Sequence, residues 1–325
     1  MFVNKHFGVL LSFSFIFFCF LISIFSYFII PDDSQYSNQM HLQIHSMSPG
    51  FKATILEVPN YSNNNNESYI RSKFFGNKFP NKEILIKKYF FDDFGINYEN
   101  YNEEIVQLKY DVFPNINSST EIEKKYIKER KFIFGTDSFG RDVFGRIILG
   151  TRVSLSIGFI AVLISLIIGL SVGMVGGYYG GFIDKFVVAI INIFWSIPTL
   201  LLVIAISIAL GKGFWQVYIA VGLTMWVEVA RIVRGQVISE KNKDYIVATK
   251  VLGYSDLRIF IKHLLPNILG PILIICAANF ASAILIESGL SFLGIGTQPP
   301  IPSWGSMIKD NYQFIILGKG YLAFI

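Results

Sequence analysis

Apolar residues in this chain come in long blocks, not at the three-to-four-residue spacing of a soluble core. Residues 7–30, 153–183, 186–211, 213–227 and 264–286 contain no Asp, Glu, Lys or Arg. A helix rises about 1.5 Å per residue, so a block of roughly 20 apolar residues covers a hydrocarbon core about 30 Å thick. The pattern predicts five membrane spans and an all-α polytopic membrane protein. The first block follows Lys5 and invites comparison with a secretory signal. It is too long for one, and Ser23-Ile24-Phe25-Ser26 makes a poor cleavage site. An N-terminal anchor over residues 1–30 is expected.

The blocks stop between residues 31 and 133, where Asn, Lys, Tyr, Ser and Glu dominate and a polar tract, SNNNNE, fills residues 62–67. Residues 51–58 (FKATILEV) and 104–112 (EIVQLKYDV) alternate partly and carry β-branched side chains, as strands do. An aqueous insertion of α+β or β-rich character is expected at 31–133, followed by a transmembrane core at 134–325.

Hydrophobic residues make up 52% of the chain and the formal net charge is +5. In such a chain basic residues belong at membrane edges, so the charge speaks to topology and implies no nucleic acid partner. Between the fourth and fifth blocks stand Arg231, Arg234, Lys241, Lys243, Lys250, Arg258 and Lys262, against Glu240, Asp244 and Asp256. Short loops rich in Lys and Arg face the cytoplasm. Counting back through the spans puts the N-terminus in the cytoplasm and the insertion outside it. The two cysteines, Cys19 and Cys276, both fall inside spans, so no disulfide framework is expected, which fits a bacterial inner membrane.

Gly169, Gly173, Gly177 and Gly181 recur every fourth residue. A stripe of small residues lets helix backbones approach closely in lipid, and tight packing against a neighbouring helix of the same chain is the expected use. Pro198 should kink the third span. Glu228 stands three residues before Arg231 and is read as a local ion pair at the membrane edge. Glu287, near the outer end of the fifth span, has no such neighbour and is the candidate gate or cavity residue. His41 and His45 are read as a solvated surface pair, since no acidic residue or cysteine joins them at ligand spacing; His6 and His263 stand alone. The chain has no G-x-x-x-x-G-K-[ST] sequence, and Gly211-Lys212-Gly213 lacks that context. Neither cofactor nor metal is expected, and nucleotide hydrolysis is not assigned here.

The cytoplasmic segment within residues 239–267 contains DYIVATKVLGYSDLRIFIKHLLPN at 244–267. Asp244 to Leu252 reads as a helix ending at Gly253, Ser255 as the cap of a second helix, and Pro266 as its end. Tyr245, Ala248, Leu252, Tyr254 and Leu257 would be exposed. Such a surface suits either a groove on a partner protein or the lipid headgroup layer.

This segment resembles the EAA loop of binding-protein-dependent ABC importer permeases. Val247-Ala248-Thr249 stands at the E-A-A position, Gly253 follows at the right spacing, and Leu265-Pro266 closes the pattern; Val247 replaces the glutamate. FGTDSFGRDVF at 134–144, GYYGGFID at 177–184, and ESGLSFLGIGTQPP at 287–300 followed by PSWG at 302–305 are similar to the C-type subunit of the dipeptide and oligopeptide branch. The resemblance implies a second permease subunit, two ATP-binding subunits docking on the coupling loop, and an external substrate-binding protein. It assigns docking to Asp244, Tyr245, Ala248, Thr249, Leu252, Gly253, Ser255, Leu257 and Pro266. It also implies a closing transmembrane helix, for which the residues after Lys319 leave room for a first turn only. The competing function is an ion-coupled secondary transporter or channel acting alone, which would want ionisable residues at mid-span and often an inverted repeat.

Overall fold

The structure, a computed structural model, describes residues 3–60, 69–114, 118–211, 213, 215–316 and 318. The polar tract at 62–67 and the closing residues 319–325 lie outside the described residues. In chain order the elements are α1 (Val3–Ile24), α2 (Ser26–Ile29), β1 (Phe51–Val58), α3 (Tyr69–Phe75), β2 (Lys82–Ile86), β3 (Lys88–Phe91), β4 (Gly95–Glu99), β5 (Ile105–Lys109), α4 (Ser119–Tyr126) and β6 (Ile127–Phe132). Then follow α5 (Val143–Tyr179), α6 (Gly181–Trp195), α7 (Thr199–Ala209), α8 (Trp215–Glu240), α9 (Asp244–Val251), α10 (Asp256–Ile259), α11 (Leu265–Phe292), α12 (Trp304–Asn311) and α13 (Gln313–Ile316). Two compact units result, one of residues 1–153 with 299–325 and one of residues 154–298.

In the first unit β1 is the central strand of an antiparallel sheet ordered β2-β1-β6, and β3-β4-β5 forms a second antiparallel sheet. Successive side chains of a strand point to opposite faces. Ala53 and Ile55 of β1 therefore join Ile44, Leu85 and Phe132 in one core, while Leu56 joins Ile96, Tyr98, Phe113 and Ile122 in another. Being covered on both faces explains why the alternation of β1 is only partial.

A buried polar group crosses this sheet. His41 Nε2 lies 3.0 Å from Glu83 Oε2, and Arg130 grips the same carboxylate through Nη1 at 2.8 Å and Nη2 at 2.6 Å. Although burial alone would raise the Glu83 carboxyl, the His41 and Arg130 contacts hold it below the usual carboxylate range. This corrects the reading of His41 as a solvated partner of His45: only His45 is exposed. Among the described residues no group of three or more His, Cys, Asp or Glu is placed to hold a metal ion. The FGTDSFGRD segment folds into a self-locked turn before α5. Asp137 Oδ1 accepts from the backbone N–H groups of Phe139 and Arg141, and Oδ2 accepts from Arg141 Nε at 2.7 Å.

Four helical stretches among the described residues are long and apolar enough to cross a membrane: Phe7–Ile24, Val143–Tyr179, Trp215–Glu240 and Asp256–Phe292. The pair α6 and α7 passes the same test together but is bent by 89°. The bend falls at residues 196–198, where Pro198 lacks the N–H that would continue the helix.

Candidate functional site

In the second unit α5 and α8 lie close because glycines allow it. A Cβ added at Gly169 would sit 2.5 Å from Val229 Cβ, one at Gly173 2.6 Å from the Ala230 carbonyl oxygen, and one at Gly177 2.8 Å from that of Arg234. The stripe stops there. Gly181 lies past the end of α5, with a φ of +57° and nothing within 4 Å of its missing Cβ, so it turns the chain and packs against nothing. The close approach seats Met174 and Tyr178 against Val229, Val233 and Val237.

The loop between α8 and α11 hangs from this pair. Ile246 of α9, Ile259 of α10, and Leu264 and Ile268 beyond it are fully buried in the same core. Polar anchors fix the rest. Asp256 accepts hydrogen bonds from the hydroxyls of Tyr178 and Tyr179, at 2.9 and 2.8 Å. Lys241 Nζ donates to the Gly177 and Tyr178 carbonyls at the C-terminal end of α5, where the helix dipole favours a cation. Arg234 holds Asp184 with both Nε and Nη2. Tyr245 donates to Glu240 at 2.6 Å, and burial together with that carboxylate pushes the phenol up to about 12.

The outward side of the loop is apolar. Val251, Leu252 and Leu257 are 82%, 69% and 67% exposed, flanked by Tyr245, Val247 and Ala248. Gly253 turns the chain between α9 and α10 at a φ of +73° with nothing near its missing Cβ, a conformation glycine adopts without penalty. Three expectations change. Thr249 is buried, its hydroxyl donating to the Ile246 carbonyl at 2.7 Å, so it faces inward. Ser255 occupies the N-cap position of α10 but makes no side-chain cap bond; Asp256 is held by the tyrosines instead. Pro266 does not end the helix. A π-helical turn at Phe260–Leu264 precedes it, and the helix continues through α11, since widening the turn accommodates the clash and the missing N–H that proline brings. Asp244 opens α9, and sequence reasoning passed over Val247 and Val251, whose exposure depends on which face the core takes.

Where α6 breaks into α7, a cavity of about 330 Å³ opens against α8 and α11. Trp195, Thr199, Thr224, Met225, Ser282 and Glu228 are among its lining residues. Glu228 does not pair with Arg231: among the described residues no ion pair joins them, and the Arg231 guanidinium sits 3.9 Å above the Trp195 ring instead. Glu287 is not on the cavity wall. It is fully buried, accepts a 2.6 Å hydrogen bond from Ser291 Oγ, and helps pin the turn in which the Ser291 hydroxyl accepts the Thr297 N–H.

Known proteins align with between 55% and 59% of this chain. The oligopeptide transport system permease protein OppC of Bacillus subtilis is 42% identical over 178 residues, 55% of this chain and 58% of that protein. The dipeptide transport system permease protein DppC of the same organism is 44% identical over 191 residues, 59% and 60% of the two chains. OppC of Escherichia coli K12 is 41% identical over 191 residues, 59% and 63%. The chain thus spans about three fifths of the length of these curated relatives. A solved structure of the MetNI methionine ABC transporter in an inward-facing conformation aligns with 53% of this chain and 82% of that one, at a TM-score of 0.44 and 22% identity; no detail of geometry transfers at that level. Residues 165–325, the stretch that carries the glycine stripe, the loop between α8 and α11 and the cavity, match the family of binding-protein-dependent transport system inner membrane components.

Proposed function

We propose that this protein is a transmembrane permease subunit of an ATP-driven ABC importer, that it forms half of the translocation pathway, and that its cargo is dipeptides or oligopeptides. The observation that carries this reading is the two-sided coupling loop. One side is pinned to α5 and α8 by the Tyr178, Tyr179 and Lys241 hydrogen bonds. The other side leaves Val251, Leu252 and Leu257 exposed. A partner that pushed on the apolar side would move the membrane helices, because few soft contacts lie between. The chain is a moving part, and ATP hydrolysis belongs to two ATP-binding partner subunits. A second permease subunit completes the pathway, and an external binding protein delivers substrate. In this arrangement the chain sits in a bacterial inner membrane with a cytoplasmic N-terminus and five spans, α6 and α7 together making one, and the β-rich insertion lies outside. Tyr245, Ala248, Leu252 and Leu257 form the docking face, extended by Val247 and Val251, with Gly253 as the turn that shapes it. Val247 in the glutamate position makes the contact apolar there.

The test is affinity isolation of the tagged chain from its host in mild detergent, with mass spectrometry of what accompanies it. Recovery of a second permease and P-loop ATPases is expected, and Val251→Glu with Leu257→Glu should release the ATPases while the second permease stays. An ion-coupled carrier working alone would yield the chain by itself, and that result would overturn the reading.

A further inference from the structure

The cavity at the α6–α7 break contains a carboxylate with nothing to do. Glu228 stands at the middle of α8, with thirteen residues before it and twelve after it in a 26-residue helix. At about 1.5 Å per residue it lies roughly 20 Å from either end of the helix, one turn before Arg231, and an ionisable side chain on a helix that enters a membrane is expected to face a partner or a water-filled space. It is exposed and lines the cavity. Its carboxylate has neither ion-pair nor hydrogen-bond partner among the described residues. The cation one turn away, Arg231, is committed to the face of Trp195 at 3.9 Å.

The rest of the wall suits a small cationic guest. Phe194, Met225, Leu285 and Ile286 supply apolar surface, while Thr199 and Ser282 bring hydroxyls. The Thr224 hydroxyl donates to the Val221 carbonyl at 2.8 Å, which leaves its oxygen lone pairs as acceptors. Carboxylate and hydroxyl oxygens together accept what an ammonium donates. At about 330 Å³ the space falls at the small end of ligand sites and equals the liquid volume of about ten waters, enough for one amino-acid-sized group rather than a whole oligopeptide.

We propose that this cavity binds an organic ammonium group carried by the transported molecule, with the Glu228 carboxylate as its counter-ion and the apolar wall contacting its carbon skeleton. The word transported rests on the importer reading; the binding itself does not, and the test is chosen accordingly. The α-ammonium of a peptide and the side-chain ammonium of a lysine share the required chemistry.

Purified full chain in lipid nanodiscs is titrated with tritiated alaninamide, which carries an α-ammonium, and with tritiated Nα-acetyl-lysinamide, which carries only the side-chain one. Tritiated N-acetylalaninamide is the neutral control. At least one amine is expected to bind ten times more tightly than the neutral control, and the amine that binds identifies the source. Glu228→Gln should weaken that binding tenfold or more, and Glu228→Asp should restore most of it, both eluting as the unaltered protein does. Equal binding of amine and neutral amide, equal binding by Glu228→Gln, or no binding at all overturns the proposal. So does displacement by low-millimolar Na⁺, which would make the carboxylate an inorganic-ion site. None of these outcomes depends on whether ATPases accompany the chain, so the two readings fail separately.

Discussion

Substituting alanine at two glycines of the same helix pair should have opposite effects. At Gly173 the added methyl would stand 2.6 Å from the Ala230 carbonyl oxygen and 2.8 Å from Val233 Cβ. Ordinary contact begins near 3.4–4.0 Å, so α5 and α8 would have to part by roughly 0.8 Å at that level. Neither obstacle is the free end of a flexible side chain: one is backbone, the other a β-carbon. Overpacking of this kind costs about 1–3 kcal/mol, and the parting would reach Gly169 and Gly177, whose own contacts are as close. At Gly235 of α8 an added Cβ meets nothing within 4 Å, and alanine gains about 0.5–1 kcal/mol through the helix preference alone. The assay is thermal unfolding of the purified chain in nanodiscs, followed by loss of the monodisperse peak after heating. Using about 2–4 °C per kcal/mol for a cooperative unit of this size, Gly173→Ala should lower the midpoint by about 2–12 °C and Gly235→Ala should raise it by about 1–4 °C. Equal midpoints for the two variants would refute the claim that the stripe sets the distance between α5 and α8.

Glu83→Gln should destabilise the β-rich unit by about 3–5 kcal/mol, because it leaves Arg130 charged and buried without its counter-ion; a denaturation midpoint within 1 kcal/mol of the unaltered protein would contradict the bridge. Burial pushes the Asp142 carboxyl from 3.8 up to about 6, against the backbone N–H of Phe144 that favours its charge. A carboxyl whose value is raised on folding contributes stability below pH ~4 that is lost as pH climbs through 6, worth at most about 3 kcal/mol. Asp142→Asn should therefore flatten the pH 4–7 stability profile and raise stability at pH 7.5, and an unchanged slope would count against it. Tyr178→Phe removes one of the two hydrogen bonds on Asp256 and should cost about 1 kcal/mol. Hydrogen exchange should then quicken over residues 254–260, and unaltered exchange there would mean the tyrosine does not hold the loop.

What could be read from the sequence was governed by local chemistry. Eight residues with partial alternation, Phe51–Val58, form β1, because strand geometry puts alternate residues on opposite faces whatever else surrounds them. Gly253 turns the chain since few other residues tolerate its φ, and Pro198 stands at the sharp bend since it lacks a donor. The misses all depended on packing at a distance. Thr249 looks outward in a list of loop residues, yet the side of α9 that carries Ile246 meets α5 and α8 and takes Thr249 inside with it. Pro266 resembles a stop signal, but the π-turn four residues earlier spares the helix. Glu228 was paired with Arg231 from their three-residue spacing, yet the Arg231 guanidinium lies over the Trp195 ring of α6, a contact between helices that local spacing does not encode. Glu83 and Arg130, 47 residues apart in sequence, meet because β2 and β6 both pair with β1, and His41 reaches the same carboxylate from the segment before β1, which no short spacing encodes.

The unbroken stretch from Asp256 to Phe292 has a mechanical meaning. Thirty-seven helical residues make a rod of about 55 Å. Its near end is clasped by two tyrosine hydroxyls and its far end closes on the Glu287, Ser291 and Thr297 turn. Pivoting such a rod by about 5° around its midpoint swings each tip by about 2 Å in opposite senses. A nudge at Leu257 would thus be delivered, inverted and nearly undiminished, at the opposite end of the helix, and the π-turn marks where compliance would first absorb it.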